Sequence, residues 1–433
     1  MSQQEVSASS TPAESSKPTN VRRQIMGVLM ITLLTAYLDR VNVSVLIADP
    51  AFVTDLGLKG NPVRMGMMMT SFLITYGLAN LFLAPLGDWI GARKTMCTAI
   101  CLWIVACFSG GLVSTFSAIV AVRLFLGLGE GMYTPTPSRY VKNWFPPLER
   151  GKANAISLVG VYAGPALSMP FFTWLIKSYG WRNSFFVLAV VSFIPLILLW
   201  KWTADHPEQS KRVNKAELNY IQKGMTAERE AEARMGHSTF SENLKYFISS
   251  YRYWLLVIFY ICQGMLFWGM MAWLPSYLKT ARGFSWAAMG VLSALPYMLG
   301  TVLVLLCGYL SDKTGRRAIW AAIGTFAAAL GIYIGINTAD NLSAALVISV
   351  GYGMLGMGLP IAWVLLQQFV PGRAVATGAG IMNGISQGSS AAAPVLIGYF
   401  IAVSGGYVGG LMFIVAVAVI GGLCVGVLAY QKY

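Results

Sequence analysis

Two short stretches decide how this chain is built: Ala84-Pro-Leu-Gly-Asp88-Trp-Ile-Gly91-Ala-Arg93-Lys94 and Gly308-Tyr-Leu-Ser-Asp312-Lys-Thr-Gly315-Arg316-Arg317. Each closes an apolar run with an Asp, turns tightly at a Gly three residues later, and opens the next run with basic residues. The two aspartates stand 224 residues apart, about half of the 433-residue chain. A loop repeated at matching places in two halves implies an internal duplication. Asp88 with Arg93, and Asp312 with Arg316, read as a pair of gating latches. In one conformation the Asp pairs with a basic group or faces a helix N-terminus, and in another it must let go.

The runs on either side of these loops are long and continuous. The chain is 56% hydrophobic and 11% charged, with a mean hydropathy of +0.62; a soluble domain carries about 25% charged residues. A spanning helix needs roughly 20 apolar residues, and the sequence offers twelve such runs. They predict an all-α membrane protein of two pseudo-symmetric six-helix bundles, over 23–202 and 252–433. Residues 203–251 form a polar connection on which a short amphipathic helix is expected, and 1–22 a polar tail. The 45 glycines suit helices that pack closely in lipid.

The net charge of +14 is sorted by side, so it is no nucleic-acid footprint. Counting loops alternately, 23 basic residues fall on the side of the two termini and 6 on the other. The positive-inside rule then puts both termini in the cytoplasm, in what reads as a bacterial inner membrane. The six cysteines lie inside apolar runs without metal-ligand spacing, and both histidines, His206 and His237, lie in the connection. No metal or other cofactor, no nucleophile–base pair and no phosphate-binding loop is expected, so the chain reads as a transporter rather than an enzyme or an ATP-driven pump.

Only four ionisable residues sit deep in the runs: Asp39 and Arg40 in the first, Arg123 and Glu130 in the fourth. A charge at mid-bilayer costs about 2.5–3.5 kcal/mol on insertion scales, which makes such a residue a functional candidate. Helical rise puts Arg40 and Arg123 at similar depth, with Glu130 two turns from Arg123 on the same face. Guanidinium stays charged and binds both oxygens of a carboxylate, so the arginines are expected to hold an organic anion. The two acids are the only groups in the spans able to carry coupling protons. A simpler reading of the same residues is a pair of internal salt bridges, Asp39–Arg123 and Glu130–Arg40. In the second half, Asn383, Ser386 or Gln387, and Ser390 make a polar stripe at helical spacing, and Gln263, Trp268 and Trp363 are further candidates for pocket walls.

The two loops resemble the signature that follows spans two and eight in the major facilitator superfamily, with Ala84 replacing the leading Gly of the first copy. Asp39-Arg40-Val-Asn42, Arg123-x6-Glu130 and Trp144-Phe-Pro together resemble the anion:cation symporter family within it. That resemblance implies proton-coupled uptake of a small organic anion such as a sugar acid, by alternating access in a monomer. It gives Asp39 and Glu130 to proton coupling and Arg40 and Arg123 to the substrate, and it marks Tyr76 as a substrate contact. The stretch Gly160-Val-Tyr-Ala-Gly164-Pro165 partly resembles an antiporter motif, so proton-driven efflux of an amphiphile stays open as the alternative. A nutrient sensor without transport is a third reading.

Overall fold

The computed structural model describes residues 17–83, 86–235, 244–245, 247–370 and 374–431. The first six spans are α1 (Val21–Leu46), α2 (Pro62–Phe82), α3 (Ala92–Gly110), α4 (Phe116–Tyr133), α5 (Pro147–Tyr179) and α6 (Trp181–Trp202). After a linker come α7 (Tyr251–Ser276), α8 (Trp286–Thr314), α9 (Arg317–Asn337) and α10 (Asn341–Phe369). The broken span α11 (Val375–Ser390 and Ala393–Ser404) and α12 (Tyr407–Tyr430) close the chain. The fold is all-α, twelve membrane-crossing helices in two six-helix bundles. Its exposed side chains include Val190, Leu305 and Leu423, as expected of a surface solvated by lipid. The turn glycines of the repeated loops, Gly91 and Gly315, both have positive φ, +91° and +65°, the conformation that favours Gly.

Helix ends are satisfied differently on the two faces of the protein. Away from the termini the caps are local: Asn61 accepts from Arg64 N, Thr115 from Ala118 N, Ser285 from Ala288 N and Asp340 from Ser343 N. On the face that carries the termini, α1 and α3 begin without a side-chain bond from their own N-cap residues. Carboxylates from the linker supply the missing acceptors. Asp205 accepts from Arg93 N at 2.6 Å. Glu217, on the linker helix Lys215–Met235, is fully buried and accepts from Val21 N, Arg22 N, Arg22 Nη1 and the Thr19 hydroxyl. The Arg22 guanidinium also reaches Glu149 at the start of α5 at 3.0 Å, and the Tyr220 hydroxyl donates to the same carboxylate. The Arg22 bond holds the Glu149 carboxyl below its usual range against the opposing effect of burial. The Arg22–Glu149 bridge is therefore complete above the ordinary Glu range and loosens as the pH falls through the depressed value.

The linker helix is thus fastened to the first bundle. Glu217→Ala would strand two backbone donors, each at a cost of about 1–3 kcal/mol, and would leave the Arg22 guanidinium with Glu149 alone. We expect a clearly lower thermal unfolding temperature for the detergent-solubilised variant. Lys215→Ala, at an exposed position two residues earlier, is expected to melt with the wild type. Equal melting of all three proteins would show that the clasp contributes nothing.

The bundles meet through small residues at the end away from the termini. A Cβ on Gly66 of α2 would collide with the carbonyl of Pro394 on α11, and one on Gly398 of α11 with the carbonyl of Pro62. On the other side of the interface, Gly290 of α8 lies against Thr173 and Pro170 of α5, and Gly300 against the Tyr162 ring. Without a hydrophobic drive between helices in lipid, such close backbone approach is what holds a seam. Towards the termini, the positions beside Gly380, Gly384 and Gly388, along one face of α11, are open.

Candidate functional site

Packing of α4 on α2 places the buried charges. A Cβ on Gly127 would strike the Phe72 carbonyl, one on Gly131 the Tyr76 carbonyl, and one on Gly129 would come within 3.0 Å of the Ala99 carbonyl on α3. These glycines let three backbones approach directly, which sets Arg123 and Glu130 beside Phe72 and Tyr76. Opposite them, Gly164 of α5 lies against the Tyr37 side chain and Gly160 against Leu33, which seats α5 on α1. The Gly160–Pro165 stretch thus has a packing task inside the first bundle.

The four charges form two crossed ion pairs. Arg40 binds one oxygen of Glu130 through both Nε (2.8 Å) and Nη2 (2.6 Å). Arg123 Nη1 binds Asp39 Oδ2 at 3.2 Å, and its Nε donates to the Met68 carbonyl at 3.3 Å. Asp39 and Arg123 are fully buried, and Glu130 is 1% exposed. The guanidinium groups share the Phe72 ring, Arg123 at 4.5 Å and Arg40 at 5.7 Å from its centroid. Arg40 also faces Tyr37 (4.8 Å), Tyr76 (5.0 Å) and, across the bundle interface, Trp268 of α7 (5.3 Å). Among the buried polar atoms of the described residues that lack a hydrogen-bond partner are Glu130 Oε1 and both amide atoms of Asn42 on α1.

A pair of buried arginine–carboxylate bridges gives little net stability, because desolvation offsets attraction. In each pair the cation is neutralised by an acid on another helix, Arg40 of α1 by Glu130 of α4 and Arg123 of α4 by Asp39 of α1. The sequence profile of the Major Facilitator Superfamily matches residues 29–394. This chain belongs to the Major Facilitator Superfamily. It is a membrane transporter, not an enzyme, and its relatives and structural neighbours cover nearly all of it. It is 30% identical to the probable sulfoacetate transporter SauU of Cupriavidus necator, over 94% of this chain and 93% of that protein. It is 28% identical to the probable galactarate/D-glucarate transporter GudP of Bacillus subtilis, over 95% and 92%. Among solved structures, a bacterial homolog of the human lysosomal transporter Spinster, inward-facing and unoccupied, superposes with a TM-score of 0.77 at 17% identity, covering 96% of this chain and 98% of that one. A D-xylose-proton symporter does so with 0.70 at 16%, covering 95% and 97%. These two structures speak to the fold alone.

Within this superfamily fold the expected site residues divide into three groups. Arg40, Glu130, Tyr76 and Trp268 come together, joined by Tyr37, which the sequence reading passed over although it stands one turn before Arg40. Arg123 is taken up by Asp39 and shares the Phe72 ring with Arg40, so each arginine is engaged by an acid, in the two internal pairs that were the simpler reading of these residues. The long side chain of Arg40 crosses to the level of Glu130. In the second bundle, Ser390 donates to the Ile261 carbonyl at 3.5 Å and Ser386 to the Tyr260 carbonyl at 2.9 Å. Gln263 donates to the Thr325 hydroxyl at 3.0 Å. Ser390 and Gln263 are therefore engaged in packing within their own bundle, and the polar stripe narrows to Asn383 and Gln387, both half-buried. Gln387 Oε1 is buried without a partner. Trp363 packs edge-on against Tyr260, with ring centroids 5.8 Å apart.

The latches are only partly described. The side chains of Asp88 and Asp312 lie outside the described residues. Arg93 donates to the Thr203 carbonyl at 3.2 Å and lies over the Trp200 ring at 5.1 Å, which ties it to the end of α6 in its own bundle. Arg316 is exposed at the turn between α8 and α9.

Proposed function

We propose that this transporter takes up a small organic anion by symport with protons. The substrate class is a sugar acid (aldonate, aldarate or hexuronate), a related hydroxycarboxylate, or a small sulfonate. The positive-inside count supports cytoplasmic termini, and with them an inner-membrane carrier whose closed seam faces outward. One observation carries the reading: Arg40, paired with Glu130 in the first bundle, lies against Trp268 of the second. A substrate carboxylate or sulfonate can take the place of Glu130 on Arg40 only if Glu130 gives up its negative charge, and a proton does that. Loading thus exchanges one anionic partner for another at the point where the bundles touch, and leaves the buried charge balanced for the rocking step. Asp39 and Arg123 repeat the arrangement. Asn383 and Gln387 are the polar groups of the second bundle best placed in sequence to meet hydroxyls. The packing task of Gly160 and Gly164 accounts for the stretch that had suggested export.

Purified protein in liposomes tests this directly. With the outside one pH unit more acid, labelled galactonate, glucarate, glucuronate or sulfoacetate is expected to accumulate above its external concentration, and a protonophore to abolish the excess. Transport of none of the four, or accumulation indifferent to the protonophore, overturns the proposal.

A further inference from the structure

The outer surface of the first bundle carries a groove that the transport site does not use. It runs along the seam of α3 and α6, holds about 930 Å³, and is walled by Trp89, Lys94, Cys101, Ile197, Trp200 and Lys201 among others. The Trp89 ring is 79% exposed and the Trp200 ring 56%. Further along the same two helices lies a second hollow of about 510 Å³, bounded by apolar side chains that include Val105, Phe108 and Phe193. From Lys94 to Phe108 is about 21 Å of helix, so the seam is hollowed over much of one membrane thickness, with its cations at one end only.

We propose that this seam binds a phospholipid with an anionic headgroup, its phosphate on Lys94 and Lys201 and an acyl chain in the trough. Both lysines are exposed, and neither has an ion-pair or hydrogen-bond partner among the described residues. The neighbouring Arg93 is used differently: it bonds to the Thr203 carbonyl and pins the Trp200 ring, which fixes one wall of the groove. Asp205, the acid of the adjoining linker, is taken up by Arg93 N. Two free ammonium groups therefore stand at the level of two tryptophans, the residue type that settles at the headgroup boundary. The apolar trough leads from there towards the membrane centre. A free phosphate would use the lysines and leave the trough empty, while an uncharged lipid would use the trough and leave the lysines unpaired; an anionic phospholipid uses both.

Native mass spectrometry of the full-length protein, titrated with phosphatidylglycerol or phosphatidylethanolamine of equal chain length, tests the assignment. The wild type is expected to retain phosphatidylglycerol in clear preference. Lys94→Ala/Lys201→Ala is expected to bind it roughly 30-fold more weakly, at about fivefold per lysine. Lys59→Ala/Lys177→Ala removes the same charge from exposed positions on the opposite face and is expected to behave as the wild type. Equal retention of the two lipids overturns the proposal. So does an equal loss in both double variants, or a dimer whose formation excludes lipid from the seam.

Discussion

Glu130→Gln is expected to leave exchange of labelled for unlabelled anion intact and to abolish accumulation driven by a pH gradient. The argument is isosteric. Both Arg40 contacts fall on one oxygen of Glu130, from Nε at 2.8 Å and Nη2 at 2.6 Å. A Gln keeps an oxygen in that place but cannot carry the charge, so residue 130 is held permanently in its neutral form. Arg40 is then free for the substrate at every pH, and the bundles can rock with substrate bound. What is lost is the obligation to take a proton on one side and release it on the other. One pH unit is worth 1.36 kcal/mol per coupled proton, or about tenfold accumulation. The variant should instead reach a ratio of one, with counterflow rates near wild type and an initial rate of binding indifferent to pH. Wild-type accumulation by Glu130→Gln would remove Glu130 from the coupling and with it the proposed use of the crossed pairs. Loss of exchange together with accumulation would assign Glu130 a structural task instead.

Much of the architecture was legible because the membrane imposes it. A run of 20 apolar residues has few fates in lipid, so the twelve spans and two halves followed from composition and from the loops around Asp88 and Asp312. The buried foursome was legible for the same reason: an uncompensated charge in a span is too costly to be incidental. The two pairs themselves, Asp39–Arg123 and Glu130–Arg40, were named from the sequence as its simpler reading; what stayed open was whether the arginines would instead stand free on one cavity. Helical rise placed Arg40 and Arg123 at one depth, yet a guanidinium on a long stem chooses its partner within several ångströms, and each is taken up by an acid of the other helix. Hydroxyls misled in a related way. Ser386 and Ser390 look like ligand groups on a polar stripe, but a Ser in a packed helix can equally turn its hydroxyl to a neighbouring helix's carbonyl, here those of Tyr260 and Ile261. The long-range caps were out of reach altogether. Nothing local marks Glu217 as the acceptor for Val21 N and Arg22 N, because the link spans 195 residues.

Arg123→Ala is expected to eliminate transport and to destabilise the protein by about 3–5 kcal/mol, the cost of leaving a buried charge without its partner. The stranded group is Asp39 on α1, fully buried and bound by Arg123 at 3.2 Å. The single variant therefore confounds folding with function, and a double variant separates them. Asp39→Leu/Arg123→Leu removes both charges at once, and replacement of a buried pair by apolar side chains is commonly neutral or stabilising. If the pair serves transport rather than the fold, the double variant should recover most of the lost thermal stability while remaining unable to bind or carry the anion. The coupling energy read from the cycle of wild type, Asp39→Leu, Arg123→Leu and the double variant should then be large in unfolding, because each single charge is costly only when the other remains. Two results would sink this account. A single variant that melts with the wild type would mean that Asp39 finds another partner. A double variant that still accumulates substrate would show that Arg40 and Glu130 suffice and that the second pair is structural.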